Sequence, residues 1–131
     1  MIKFSYTILY VRDVEKTLTF YEQAFGFLRK FITPEKDYGE LDTGNTTLSF
    51  ALHRLAQSNL SCGFFPRQPQ ERPLGIEICF ITDDMKNALK KAADAGALII
   101  TPPKHKPWGQ TVAFLRDPEG FLIELATEIT G

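Results

Sequence analysis

Alternation of apolar and polar side chains opens the chain. Residues 3–11 (KFSYTILYV) are rich in aromatic and β-branched types and predict a strand. Asp13 then offers an N-cap oxygen, Val14, Leu18, Tyr21 and Phe25 recur at helical spacing, and Gly26 supplies the stop. Residues 28–33, ending at Pro34, predict a second strand. Two more, over 38–42 and 46–52, are joined by the turn Thr43-Gly44-Asn45. The expected order is β-α-β-β-β.

From residue 54 to residue 73 the pattern dissolves into a polar stretch with Gly63, Pro66 and Pro69. The same order then begins again. Residues 75–82 predict a strand, Asp83 or Asp84 caps a helix carrying Met85, Leu89 and Ala92, and Gly96 closes it. Residues 97–101 predict a strand stopped by Pro102-Pro103, and 110–116 with 121–126 a hairpin about Asp117-Pro118-Glu119-Gly120. YTILYVRD at 6–13 matches EICFITDD at 77–84 in pattern rather than identity. The chain therefore reads as one domain, 1–131, built from module one (1–53), a connector (54–73) and module two (74–131). Neither module is long enough to be comfortable alone.

Composition narrows the function classes. The 131 residues are 44% apolar, and 15 basic against 16 acidic side chains give a net charge of −1. Near-neutrality without charged blocks argues against nucleic acid or a membrane surface as partner. No stretch approaches the roughly 18–20 apolar residues of a membrane helix. Cys62 and Cys79 show no CxxC spacing, and the N-terminus lacks the form of a signal peptide, so a cytoplasmic protein with free thiols is expected.

Splitting the strands into their two faces isolates candidate chemistry. Ile78 and Phe80 form one stripe of their strand, and Glu77, Cys79 and Ile81 the other. Residues 121–126 divide into Phe121, Ile123 and Leu125 against Leu122, Glu124 and Ala126. Two apolar strands thus each carry a glutamate. Such a carboxylate either faces water on an open sheet face or faces a cavity, where desolvation or a like charge raises its pKa. Trp108, between Pro107 and Gly109, either plugs the sheet edge or stacks on a planar ligand. Phe64 and Phe65 in the connector read as local packing, with a lid or a subunit contact as the alternative. Lys86, Lys90 and Lys91 read as the solvated face of the second helix.

YVRDVEKTLTFYEQAFGF at 10–27, FITDD at 80–84, AGA at 95–97 and DPEGFLIEL at 117–125 resemble the vicinal oxygen chelate superfamily, which includes glyoxalase I, extradiol dioxygenases and bleomycin-resistance proteins. The resemblance implies an α+β fold of two tandem βαβββ modules in a half-open mixed β-barrel around a shared cavity, and a homodimer. It also implies that the metal-ligand positions of metal-dependent members fall at Tyr6, Ser49, Glu77 and Glu124. Three of the four depart from the usual histidine, glutamine or glutamate, and only Glu124 conforms. Tyrosine and serine hydroxyls are poor ligands for nickel or zinc near neutral pH, and His53 and His105 lie outside the matched positions. The leading expectation is thus a metal-independent protein that sequesters a small molecule, with Tyr6, Ser49, Glu77, Trp108 and Glu124 as ligand-binding residues. The competing one is a glyoxalase-type lyase, isomerase or dioxygenase in which Glu77 and Glu124 hold a divalent ion (magnesium, manganese, nickel or zinc) or act as acid and base.

Overall fold

The computed structural model describes residues 1–66 and 68–129. Its elements run β1 (Tyr6–Val11), α1 (Val14–Phe25), β2 (Leu28–Ile32), β3 (Tyr38–Asp42), β4 (Thr47–Leu52), α2 (His53–Asn59), β5 (Glu77–Ile81), α3 (Met85–Ala95), β6 (Leu98–His105), β7 (Thr111–Arg116) and β8 (Leu122–Ala126). Two compact units emerge, Met1–Glu22 with Gly26–Arg67 and Gln23–Phe25 with Gln68–Gly131. Each contains a four-stranded mixed sheet, in the orders β1-β4-β3-β2 and β5-β8-β7-β6. The expected α+β class and the repeated β-α-β-β-β order are both present.

In the first unit β1 runs parallel to β4, while β4-β3 and β3-β2 are antiparallel. Asp13 caps α1 by accepting from Lys16 N at 2.9 Å, and Gly26 ends it with φ 74°. One sheet face lies under the helix. Tyr21 packs on Phe50 with ring centroids 5.1 Å apart, and Leu18, Leu41 and Val11 are fully buried beside them. Each such side chain contributes about 1.5–3 kcal/mol by leaving water. Gly39 on β3 lets the helix approach, since a Cβ there would sit 2.6 Å from Leu18 Cδ1 and 3.3 Å from Val14 Cγ1. Arg29 on β2 ties sheet to helix through Glu22 at 2.7 Å and Glu15 at 3.1 Å.

The second unit repeats this plan, with β5 parallel to β8 and antiparallel β8-β7 and β7-β6 pairs. Asp84 caps α3 through Asn87 N at 3.2 Å, and Gly96 ends the helix with φ 117°. The helix lies against β6 and β8 and buries Leu89 and Ala92. Ile123, Leu125, Ala113 and Leu115 are the buried stripe of the sheet. The β7-β8 turn is held by Asp117 Oδ1, which accepts from Glu119 N and Phe121 N, both at 2.9 Å.

Two expectations change. Residues 53–59, expected as the end of module one and the start of an irregular connector, form α2, which lacks a side-chain cap and buries Ala56. Its polar run, with one apolar anchor, gives little periodic signal. The sixth strand continues through Pro102-Pro103 to His105. It is an edge strand, and its pairing with β7 skips between Thr101 and Lys104, so the missing proline N–H groups are absorbed at an irregularity.

Candidate functional site

Alternation places one set of polar groups on each sheet, opposite the buried stripe. In the first unit this set includes Tyr6 on β1, Tyr38 and Glu40 on β3, and Thr47 and Ser49 on β4. The register pairs Glu40 and Ile8 with Ser49, and Tyr6 with Thr47. Tyr38 donates its hydroxyl to Glu40 Oε2 at 2.7 Å. Lys30 Nζ donates to Thr47 Oγ1 at 2.8 Å. Burial, opposed in part by the neighbouring Ser49 and reinforced by Glu40 and Tyr6, pushes the Tyr38 phenol up to about 12. It is therefore a committed proton donor at neutral pH.

Ser49 is wholly buried, and its Oγ makes no hydrogen bond of ordinary geometry, although it stands beside the Tyr38 phenol. A buried hydroxyl without a partner costs about 1–3 kcal/mol.

In the second unit the register sets Cys79 against Glu124, with Glu77 two residues earlier on the same strand face. Glu77 hydrogen-bonds Glu124, and that bond, partial burial and the charge of Glu124 push the Glu77 carboxyl up to about 7. The two carboxylates behave as a proton-sharing pair. Burial, with the adjacent Glu124, pushes the Cys79 thiol up to about 11, so it stays protonated and is a poor nucleophile.

The remaining candidates are engaged locally. Trp108 sits between β6 and β7, half exposed, with its indole Nε1 donating to Gln110 Oε1 at 2.7 Å. His53 Nε2 donates to Tyr10 O at 3.3 Å, and His105 Nδ1 lies 3.4 Å from Thr111 Oγ1. Phe64 packs edge-on against Tyr10, centroids 4.7 Å apart, and against His53 at 5.6 Å, whereas Phe65 is exposed. Glu77 and Glu124 thus meet in one unit, and Tyr6 and Ser49 share a face in the other. Tyr38 and Glu40 join that face without having been singled out in the sequence. Their alternation on one side of YGELD was the available signal.

A divalent metal does not fit this donor set. Among the described residues no group of three or more His, Cys, Asp or Glu side chains is arranged to hold one. The two glutamates share a proton, the nearby thiol resists ionisation, and both imidazoles have other neighbours.

Residues 3–125 match the model of the Glyoxalase/Bleomycin resistance protein/Dioxygenase superfamily, and the chain belongs to that family. It is 24% identical over 128 residues to Virulence protein STM3117 of Salmonella typhimurium, a match covering 95% of this chain and 83% of that protein. Lactoylglutathione lyase GLX1 of Arabidopsis thaliana is 26% identical over 133 residues, covering 94% of this chain but 43% of the plant protein, so the chain spans less than half of that enzyme. The crystal structure of a glyoxalase-related enzyme from Fulvimarina pelagi shares the fold, with a TM-score of 0.83 at 18% identity over 98% of this chain and 89% of the other.

Proposed function

We propose that this protein binds a small molecule without a metal on a polar sheet face, the candidates being the Tyr6 and Ser49 face of the first unit and the Glu77 and Glu124 face of the second, and holds it without transforming it. The observation carrying this reading is the Glu77-Glu124 pair. One carboxyl that keeps its proton to about 7 beside another can both donate to and accept from a ligand, and neither is committed to a cation. Trp108 offers an aromatic surface for a planar ligand. The expected homodimer is supported by the exposed apolar side chains of the edge strand β6, Leu98, Ile99 and Ile100. Two free cysteines suit a reducing, cytoplasmic setting. No helix among the described residues is long and apolar enough to cross a membrane.

A second reading has its own support. A carboxyl titrating near 7 is poised for proton transfer, so Glu77 with Glu124 could serve a lyase or isomerase as acid and base. A broad thermal-shift screen on EDTA-treated protein, followed by calorimetry and product analysis, separates the two. Saturable binding without product, weakened in Glu124→Gln, supports sequestration. Turnover supports the second reading. Stoichiometric metal that restores binding and is lost in Glu124→Ala would overturn metal independence.

A further inference from the structure

We infer that the polar face of the first sheet recognises a cationic nitrogen, an alkylammonium or guanidinium group carried by the ligand, through Glu40 with Tyr38, Ser49 and Tyr6 around it. This rests on reading that face as a ligand-binding surface.

Glu40 is a half-buried carboxylate at the centre of β3. It accepts the Tyr38 hydroxyl at 2.7 Å, which leaves acceptor positions on both oxygens. Lys30, which reaches this face, places its ammonium on Thr47 Oγ1, and among the described residues no cationic side chain pairs with Glu40. A carboxylate drawn partly out of water is stabilised by a charged partner, and a cation is the group that Glu40 lacks among the described residues. Tyr6 and Tyr38 lie on the same sheet face, and the faces of aromatic rings attract cations and disfavour anions. A carboxylate ligand would meet Glu40 as a like charge.

Ser49 supplies the second, independent observation. It is completely buried one strand over from Glu40, directly across the ladder, and its Oγ, beside the Tyr38 hydroxyl, makes no hydrogen bond of ordinary geometry. The Tyr38 hydroxyl is committed to Glu40. When a ligand N–H donates to Glu40, that hydroxyl is released and can turn to Ser49 Oγ. The phenolic proton never leaves Tyr38; only its acceptor changes. Ser49 Oγ then gains the well-formed hydrogen bond that it does not have in the ligand-free face.

Benzylamine, protonated at neutral pH, benzyl alcohol and benzoate share a ring and differ in the head group. Calorimetry and amide-resolved NMR titration of the whole chain with each should show saturable shifts at Tyr6, Tyr38, Glu40 and Ser49 with benzylamine. Benzoate should bind at least about tenfold more weakly, and Glu40→Gln should weaken benzylamine by about tenfold or more. Asp42→Asn, at the exposed end of the same strand, should leave benzylamine binding unchanged. Benzylamine binding that is indifferent to Glu40→Gln, shifts confined to Glu77 and Glu124, or benzoate binding as well as benzylamine would overturn the inference. If the alcohol or the carboxylate alone saturates this face, the cation assignment fails while the binding reading stands. Silence from all three probes also overturns the assignment, whereas the broader reading falls only with the full screen.

Discussion

Glu77 hydrogen-bonds Glu124 between neighbouring parallel strands, and its carboxyl is pushed from 4.5 up to about 7 as a result. The folded protein therefore holds a proton that the unfolded chain releases across that window. Stability from this bond is complete below the unfolded value and is lost as pH rises through about 7. Because Glu77 is exposed, solvent screening leaves on the order of 1 kcal/mol, well below what the shift would represent in a dry site. Melting temperature is expected to decline from about pH 5 to about pH 8, and Glu77→Gln to remove that part of the decline. The raised Cys79 and Tyr38 groups titrate above this window. Identical pH slopes in wild type and variant would refute the shared proton.

Arg29 joins β2 to α1 through two glutamates, with its side chain only 23% exposed. Its pKa is raised, chiefly by the hydrogen bond to Glu22. Truncation to alanine leaves Glu15 and Glu22 facing each other without a cation. A loss of about 1–2 kcal/mol is expected in urea unfolding, with the m-value unchanged. Arg29→Lys should recover only part of it, because a point charge cannot make the forked contact with both partners and Thr19 Oγ1. Full rescue by lysine would show that the charge alone matters.

Gly39 and Gly120 separate two kinds of crowding. At Gly39 an added Cβ meets chiefly the tip of the Leu18 side chain at 2.6 Å, with the Phe31 carbonyl oxygen farther off at 3.2 Å, so Gly39→Ala is expected to cost about 1–3 kcal/mol. At Gly120 it meets Pro69 Cα at 2.8 Å, a backbone atom, and φ is +94°. Strain and clash combine there, and Gly120→Ala should be the more damaging of the two in thermal unfolding. The reverse order would mean that the Pro69 segment yields more easily than the helix.

What the amino-acid pattern made legible is what local chemistry controls. Asp13 and Asp84 cap helices because a short carboxylate reaches the N–H three residues on, and Gly26 and Gly96 stop them through left-handed backbone. Period-two alternation put Glu77 and Glu124 each on the stripe of its own strand that is not wholly apolar, and ladder register then brought them together. Their convergence was expected from the family resemblance rather than from the pattern, since it depends on strands about forty residues apart pairing in one register. Tyr38 and Glu40 were missed for that reason: their significance comes from Ser49, which arrives from another strand. Proline blocked the reading of β6 because an edge strand tolerates it where a central strand would not.

Ser49 gives the last test. Its hydroxyl is buried and makes no hydrogen bond of ordinary geometry, so exchanging it for a hydrogen atom removes a desolvation cost and almost no volume. Ser49→Ala is expected to stabilise the ligand-free protein by about 1 kcal/mol, against the usual direction for a core substitution. Thr43→Ala is the matched control. Its Oγ1 donates to Thr46 O at 2.7 Å, and its loss should cost about 0.5–1 kcal/mol. Paired urea titrations read both changes. Should Ser49→Ala destabilise as much as Thr43→Ala, the hydroxyl already has a partner in the free protein and the proposed turn of Tyr38 loses its driving force. Should it stabilise while weakening benzylamine, the hydroxyl is retained at a cost to folding that binding recovers.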